Sequence, residues 1–172
     1  MIGLRRGTVR LVPYTSEWER LFEQEKGRLR SAIGDYTVDI QHIGSTAIPG
    51  LEAKPIIDIA VALQRLENVE KCIDPLESLG YEYRGDEGHP GSFFFAKGDP
   101  SNRTHYLHVV ERDSEAWKGY IRFRDYLRRH RKVAEEYAKL KRELARKSGG
   151  NRDLYTPGKA EFIGRVLQMA AE

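Results

Sequence analysis

Cysteine is almost missing from this chain: Cys72 is the single one in 172 residues. An internal disulfide and any multi-cysteine zinc site are thereby excluded. Cys72 falls on an apolar helical stripe and reads as a small buried hydrophobe. Long apolar runs are missing as well. No window approaches the ~20 residues of a membrane-spanning helix. The opening MIGLRRGTVRLV has no continuous apolar core of the kind a signal peptide carries. A cytoplasmic protein with no membrane contact is expected. A strong excess of one charge is also lacking: 29 basic against 26 acidic side chains leave a net +3, too little to imply a nucleic-acid partner. There is no internal repeat and no low-complexity tract.

What is present describes an ordinary globular chain, 40% hydrophobic and 32% charged. Its length suits one sizeable core, so residues 1–172 are read as one domain. Thr8 to Tyr14 alternates and predicts a short edge strand closed by Pro13. Ser16 and Glu19 form a capping box for a first helix with Trp18, Leu21, Phe22, Leu29 and Ile33 on its stripe, ended by Gly34. Strands are expected over Thr37–Ile43 and Ile56–Leu63, the second apolar enough to be covered on both faces. Leu66, Val69, Ile73, Leu76 and Leu79 predict a helix stopped by Gly80. Further strands follow over 81–84, 92–96 and 103–110. The rest reads as helix, with stripes at Trp117–Leu127 and Val133–Leu144, and a last helix opened by a Thr156 N-cap and Pro157. The fold class is α+β: a mixed β-sheet with helices packed on it and a helical C-terminal third.

Chemistry concentrates between His42 and Val61, in HIGSTAIPGLEAKPIIDIAV. Gly44-Ser45 ends a strand and precedes a helical turn, where free backbone N–H groups favour an anion. Lys54 adds a cation for phosphate oxygens. Asp58, on the next strand, is a candidate Mg2+ ligand. Turn chemistry explains the glycine and serine without any ligand, so the pattern alone is weak. His42 has two readings, a histidine bonded beside the turn or a phosphate contact on the same strand face as Gly44.

The full run resembles the signature of the GrpB-like family of small bacterial proteins. The resemblance extends to Pro13-Tyr14 with Trp18 and Phe22, and to His105-Tyr106-Leu107-His108-Val109. It continues through Phe123-Arg124-Asp125-Tyr126-Leu127-Arg128, then 134–141, and ends at Tyr155-Thr156-Pro157-Gly158-Lys159 with Phe162-Ile163. It implies the nucleotidyltransferase superfold of polymerase-beta-like enzymes, and relatives fused to dephospho-coenzyme A kinase in some bacteria. The superfold's site is a Gly-Ser turn followed by a strand with two acids one residue apart, plus a third acid from a neighbouring strand, together holding two metals. Gly44, Ser45 and Asp58 match. Ala60 stands where the second acid belongs, and His108 where the third does. At most one Mg2+, on Asp58 and His108, is implied.

His105 and His108 are three apart, so strand alternation lets only one face the pocket; His108 is preferred. His89 and His130 read as solvated. Arg103, Lys139, Lys141 and Lys159 are further phosphate candidates, and Tyr155 with Lys159 could close over the pocket from the last helix. Arg124 falls on the apolar side of its helix and needs a fixed partner, either a buried acid or a bound anion. The C-terminal helices are basic, but their aromatics lie on buried stripes, which argues against a nucleic-acid platform. The expected ligand is a nucleotide or another phosphorylated small molecule, with metal-assisted nucleotidyl or phosphoryl transfer. The alternative is a non-catalytic module that supports a partner such as a coenzyme A pathway kinase.

Overall fold

The computed structural model describes residues 2–172. Helix α1 (Glu17–Ile33) is followed by strands β1 (Thr37–Ile43) and β2 (Ile57–Leu63), helix α2 (Val69–Ser78), and strands β3 (Tyr81–Tyr83), β4 (Ser92–Lys97) and β5 (His105–Glu111). Helices α3 (Glu115–Arg129), α4 (Arg131–Ser148), α5 (Arg152–Tyr155) and α6 (Ala160–Ala171) complete it. The five strands form one mixed sheet in the order β1-β2-β5-β4-β3, with β2 and β5 parallel and the other pairs antiparallel. This is the α+β architecture expected from the residues.

The apolar β2 lies one strand in from the β1 edge and is covered on both sides, which is why its sequence barely alternates. One face carries Ile57, Ile59, Val61 and Leu63 with Leu107, Val109 and Phe95. It packs on Trp18, Phe22, Leu29 and Ile33 of α1 and on Val69, Cys72 and Leu76 of α2. Burial pushes the Cys72 thiol up to about 11. A second cluster ties Ile48 and Leu51, beyond the Gly44 turn, to Phe123, Leu127, Tyr137, Phe162 and Val166 of the C-terminal helices. That cluster brings the C-terminal third over the other face of the sheet.

Three expectations change. Residues 8–14 form no strand: Thr8 bridges Asn151 and Val12 bridges Ala53, two different segments, so no ladder develops. Ser16 makes no side-chain cap, because it is already helical at φ −64°, ψ −13°; Thr15 Oγ1 accepts from Glu17 N–H instead. Thr156 is likewise helical, at φ −62°, ψ −45°. The terminal helical run begins earlier, at Asn151, whose side chain accepts from Asp153 N–H. It passes through a 3-10 turn at Thr156–Lys159 into α6.

Candidate functional site

The site starts at a glycine. Gly44 adopts φ +72°, ψ −170°, a conformation that L side chains resist. A Cβ there would also lie 3.0 Å from Asp58 Oδ2. Glycine thus reverses the chain at the end of β1 and lets backbone approach the carboxylate. Ser45–Ala47 then forms a 3-10 turn. On β2, Ile57 and Ile59 point into the α1/α2 core, so alternation sends Asp58 to the opposite face. Asp58 pairs with Tyr106 across the parallel ladder, and Ala60 pairs with His108. His108 Nε2 reaches Asp58 Oδ1 at 3.3 Å. Alternation therefore separates the two β5 histidines as expected.

Around this dyad is a cavity of about 220 Å3, lined in part by Gly44, Ser45, Lys54, Asp58, His108 and Lys159. Five of the sequence candidates for phosphate, Gly44, Ser45, Lys54, Lys141 and Lys159, are thus brought together with the dyad. Tyr137 and Lys141 enter from α4, and Arg152 and Tyr155 from α5. Gly158 positions Lys159: a Cβ on it would strike Leu144 Cδ2 at 2.4 Å, so glycine lets the turn lie against α4.

The electrostatics are one-sided. Lys54, Lys141, Arg152 and Lys159 line the cavity, against the single carboxylate of Asp58. Among the described residues none of the four cations has a carboxylate within 4.0 Å. They lie over tyrosine rings instead. Lys54 and Lys159 flank Tyr155 at 5.6 and 4.8 Å, Lys141 lies over Tyr137 at 5.1 Å, and Arg152 over Tyr106 at 5.5 Å. Lys141 also donates to the Glu52 carbonyl at 2.5 Å. Burial, then the charge of Lys159, lowers Lys141 to about 7. Burial, then Lys54, lowers Lys159 to about 8, and burial also lowers Lys54. For Asp58 burial alone would raise the pKa, but the His108 hydrogen bond and the nearby lysines hold it below the usual carboxylate range. Burial raises the Tyr137 hydroxyl, which faces Ser45.

A second chamber of about 420 Å3 adjoins the first and shares Phe94, His108, Arg152 and Thr156 with it. Tyr120 and Phe94 flank the His108 ring, each at 5.4 Å between centroids. Ser92, Asp86, Glu87 and the exposed His89 form part of its wall.

The remaining sequence candidates lie elsewhere. His42 stacks on Phe22 at 4.9 Å and bonds Thr46 Oγ1 at 2.9 Å, and burial pushes it down to about 4. It points to the α1 side because it pairs across the β1/β2 ladder with Ile59, which faces the α1/α2 core. Arg103 is bound by Glu82 at 2.5 Å and the Gly98 carbonyl at 2.6 Å. Arg124 has the fixed partners its burial demanded, and they are internal: Gln41 Oε1 at 2.7 Å, the His42 carbonyl at 3.1 Å and Asp125 at 3.0 Å. Lys139 is exposed, and His130 stacks on Tyr126. Sequence reasoning missed Arg152 and Tyr137. Tyr137 was hidden in an apolar stripe, and nothing around Arg152 in GGNRDLY marks it.

The residues do not fit a two-metal site. Ala60 is fully buried where a second carboxylate would be needed. Among the described residues no group of three His, Cys, Asp or Glu side chains is placed to hold a metal ion.

A family model described as "GrpB protein" matches residues 8–169. The chain belongs to the GrpB family. It is 43% identical over 171 residues to the glutamate-rich protein GrpB of Alkalihalophilus pseudofirmus, covering 97% of this chain and 98% of that one. It superposes on the crystal structure of the conserved protein GrpB from Enterococcus faecalis with a TM-score of 0.86 and 34% identity, over 94% and 96% of the two chains. It is also 26% identical over 195 residues to a dephospho-CoA kinase of Mycolicibacterium paratuberculosis, matching 97% of this chain but only 47% of the kinase. Among the described residues no helix is long and apolar enough to cross a membrane.

Proposed function

We propose that this GrpB-family chain binds a phosphorylated small molecule of the nucleotide class. The phosphates seat among Ser45, Lys54, Lys141, Arg152 and Lys159. The observation that carries this reading is the cluster of four cations facing one carboxylate, held by aromatic rings and left without acidic partners. An oxyanion about 4 Å from one such cation gains roughly 4 kcal/mol at an effective dielectric constant near 20. The buried Lys141 and the half-buried Lys54 and Lys159 are relieved of repulsion at the same time.

The inner cavity, about 220 Å3, is smaller than the roughly 300 Å3 at which small-molecule sites begin. It suits the charged end of a ligand. The adjoining chamber, with Phe94 and Tyr120 beside His108, suits a planar remainder such as a nucleobase. The turn-plus-strand arrangement of Gly44, Ser45 and Asp58 is the one that the nucleotidyltransferase superfold uses for nucleotides, and it supports the same choice.

His108 lies where the two chambers meet. With Nε2–H donated to Asp58, Nδ1 is left as a proton acceptor for an attacking hydroxyl, and the cations stabilise charge developing on the transferred group. Phosphoryl or nucleotidyl transfer is the reaction class this arrangement supports. Calorimetric titration with ATP, GTP and dephospho-coenzyme A tests the binding claim. Saturable binding of at least one is expected; a folded protein that binds none of them overturns it.

A second reading is favoured by Ala60 and by the partial match to dephospho-CoA kinase. In it the pocket senses or holds a phosphorylated ligand for a kinase and performs no transfer. Asp58→Ala then leaves the cellular role intact, whereas a turnover abolished by that substitution removes this reading.

A further inference from the structure

We infer that the pocket takes its phosphorylated ligand as a metal-free polyanion, with Lys54, Lys141, Arg152 and Lys159 supplying the positive charge that divalent cations supply in a three-acid site. The inference rests on the phosphate reading above and adds to it the ionic form of the ligand.

The surroundings of Asp58 carry the inference. Its cross-strand neighbours are Ile43 on β1 and Tyr106 on β5. Two residues along, Ala60 offers no ligand atom, and its own partners are Gln41 and His108. Gln41 is already engaged, its Oε1 accepting from Arg124 and its Nε2 donating to Asp39. His108 alone remains, and it is bonded to Asp58. One carboxylate and one imidazole make a poor Mg2+ site, since that ion prefers octahedral oxygen ligands.

Cations meanwhile occupy the region from several directions. Lys54 comes from the segment before β2, Lys141 from α4, Arg152 from α5, and Lys159 from the turn before α6. None is committed to a carboxylate among the described residues. The tyrosine rings fix three lysine heads and one guanidinium without neutralising them. A bare divalent cation would enter a field already strongly positive. A free triphosphate, by contrast, would cancel that field, and its complex with Mg2+ would arrive with much of its charge spent.

Calorimetric titration of the full chain with sodium tripolyphosphate and with ATP tests this, once in EDTA and once in excess MgCl2. Binding in EDTA that is equal to or tighter than in MgCl2 is expected. In EDTA, Lys54→Met and Lys159→Met are each expected to weaken it about tenfold, while Lys159→Arg, which keeps the charge, stays within about threefold of wild type. Binding about threefold or more tighter in MgCl2 overturns the metal-free form and leaves the phosphate reading standing. Unchanged affinity in both methionine variants overturns the assignment of charge to these lysines. Absence of binding in either buffer by a folded chain overturns the phosphate reading, and this inference with it.

Discussion

The two faces of the sheet treat buried charge in opposite ways. On the α1/α2 face Glu25 is fully buried, and every contact it makes is a partner: Tyr81 Oη donates at 2.5 Å, Lys97 Nζ at 2.8 and 3.0 Å, and Arg28 at 3.1 Å. Burial alone would raise its pKa, but Lys97 and Tyr81 hold it below the ordinary glutamate value. On the C-terminal face, Lys54, Lys141, Arg152 and Lys159 face one carboxylate and one another. The first arrangement closes its own charge and belongs to folding. The second leaves partly buried positive charge open, and such charge persists at a cost that a ligand would relieve.

That contrast can be broken from either side. The largest effect is expected from Glu25→Ala, which strands Lys97 and Tyr81. Stability falls by about 3–5 kcal/mol, as for other buried pairs that lose one partner. Chemical denaturation checks it. Gly44→Ala comes next. Its φ of +72° and the 3.0 Å approach to Asp58 make alanine cost about 1–3 kcal/mol, and ligand binding falls with the distorted turn. Lys159→Met should run the other way. Relief of cation repulsion raises the stability of the unliganded chain by about 0.5–2 kcal/mol, while protection by tripolyphosphate is reduced as affinity falls about tenfold.

The two faces also respond to pH in separate windows. His42 and His105 are held down to about 4 by burial, below the ordinary 6.5. The unfolded chain therefore binds more protons between those values, and stability falls as pH drops from 6.5 towards 4. Lys141 and Lys159 are lowered to about 7 and about 8, from 10.5. Here too the unfolded chain binds more protons, so these two lysines make the stability of the unliganded protein rise from about pH 7 towards 10.5. Saturating tripolyphosphate should flatten or reverse that alkaline rise and leave the acid limb unchanged. Thermal melts across pH, with and without the anion, separate the two.

The element pattern was largely legible, because apolar periodicity is a local property. The α2 stripe at Val69, Ile73 and Leu76 and the nearly continuous Ile57–Leu63 run both appear where expected. Asp58 and His108 also share a side of the sheet as expected: alternation allowed only one β5 histidine to face the pocket, and the family resemblance selected His108. His42 was not legible. Its face is set by its ladder partner Ile59, and that register cannot be read from one strand alone. Arg124 was half legible: burial announced that it had a partner, but only the fold could choose Gln41 and the His42 carbonyl over a ligand. Lys54, Lys141 and Lys159 were legible singly as phosphate candidates, but their clustering was hidden because they come from segments far apart in the chain. Lys141 left a trace, since it stands four residues after Tyr137 as a buried charge on the side of α4 that carries its apolar stripe. Arg152 left none.

The central claim is that the open positive charge on the C-terminal face is a phosphate site. A thermal-shift titration of the wild-type chain and of a Lys54→Met/Lys159→Met double variant with tripolyphosphate in EDTA tests it most directly. A concentration-dependent rise in melting temperature for the wild type that disappears in the variant is predicted. No rise in the wild type, or an equal rise in both, would contradict it.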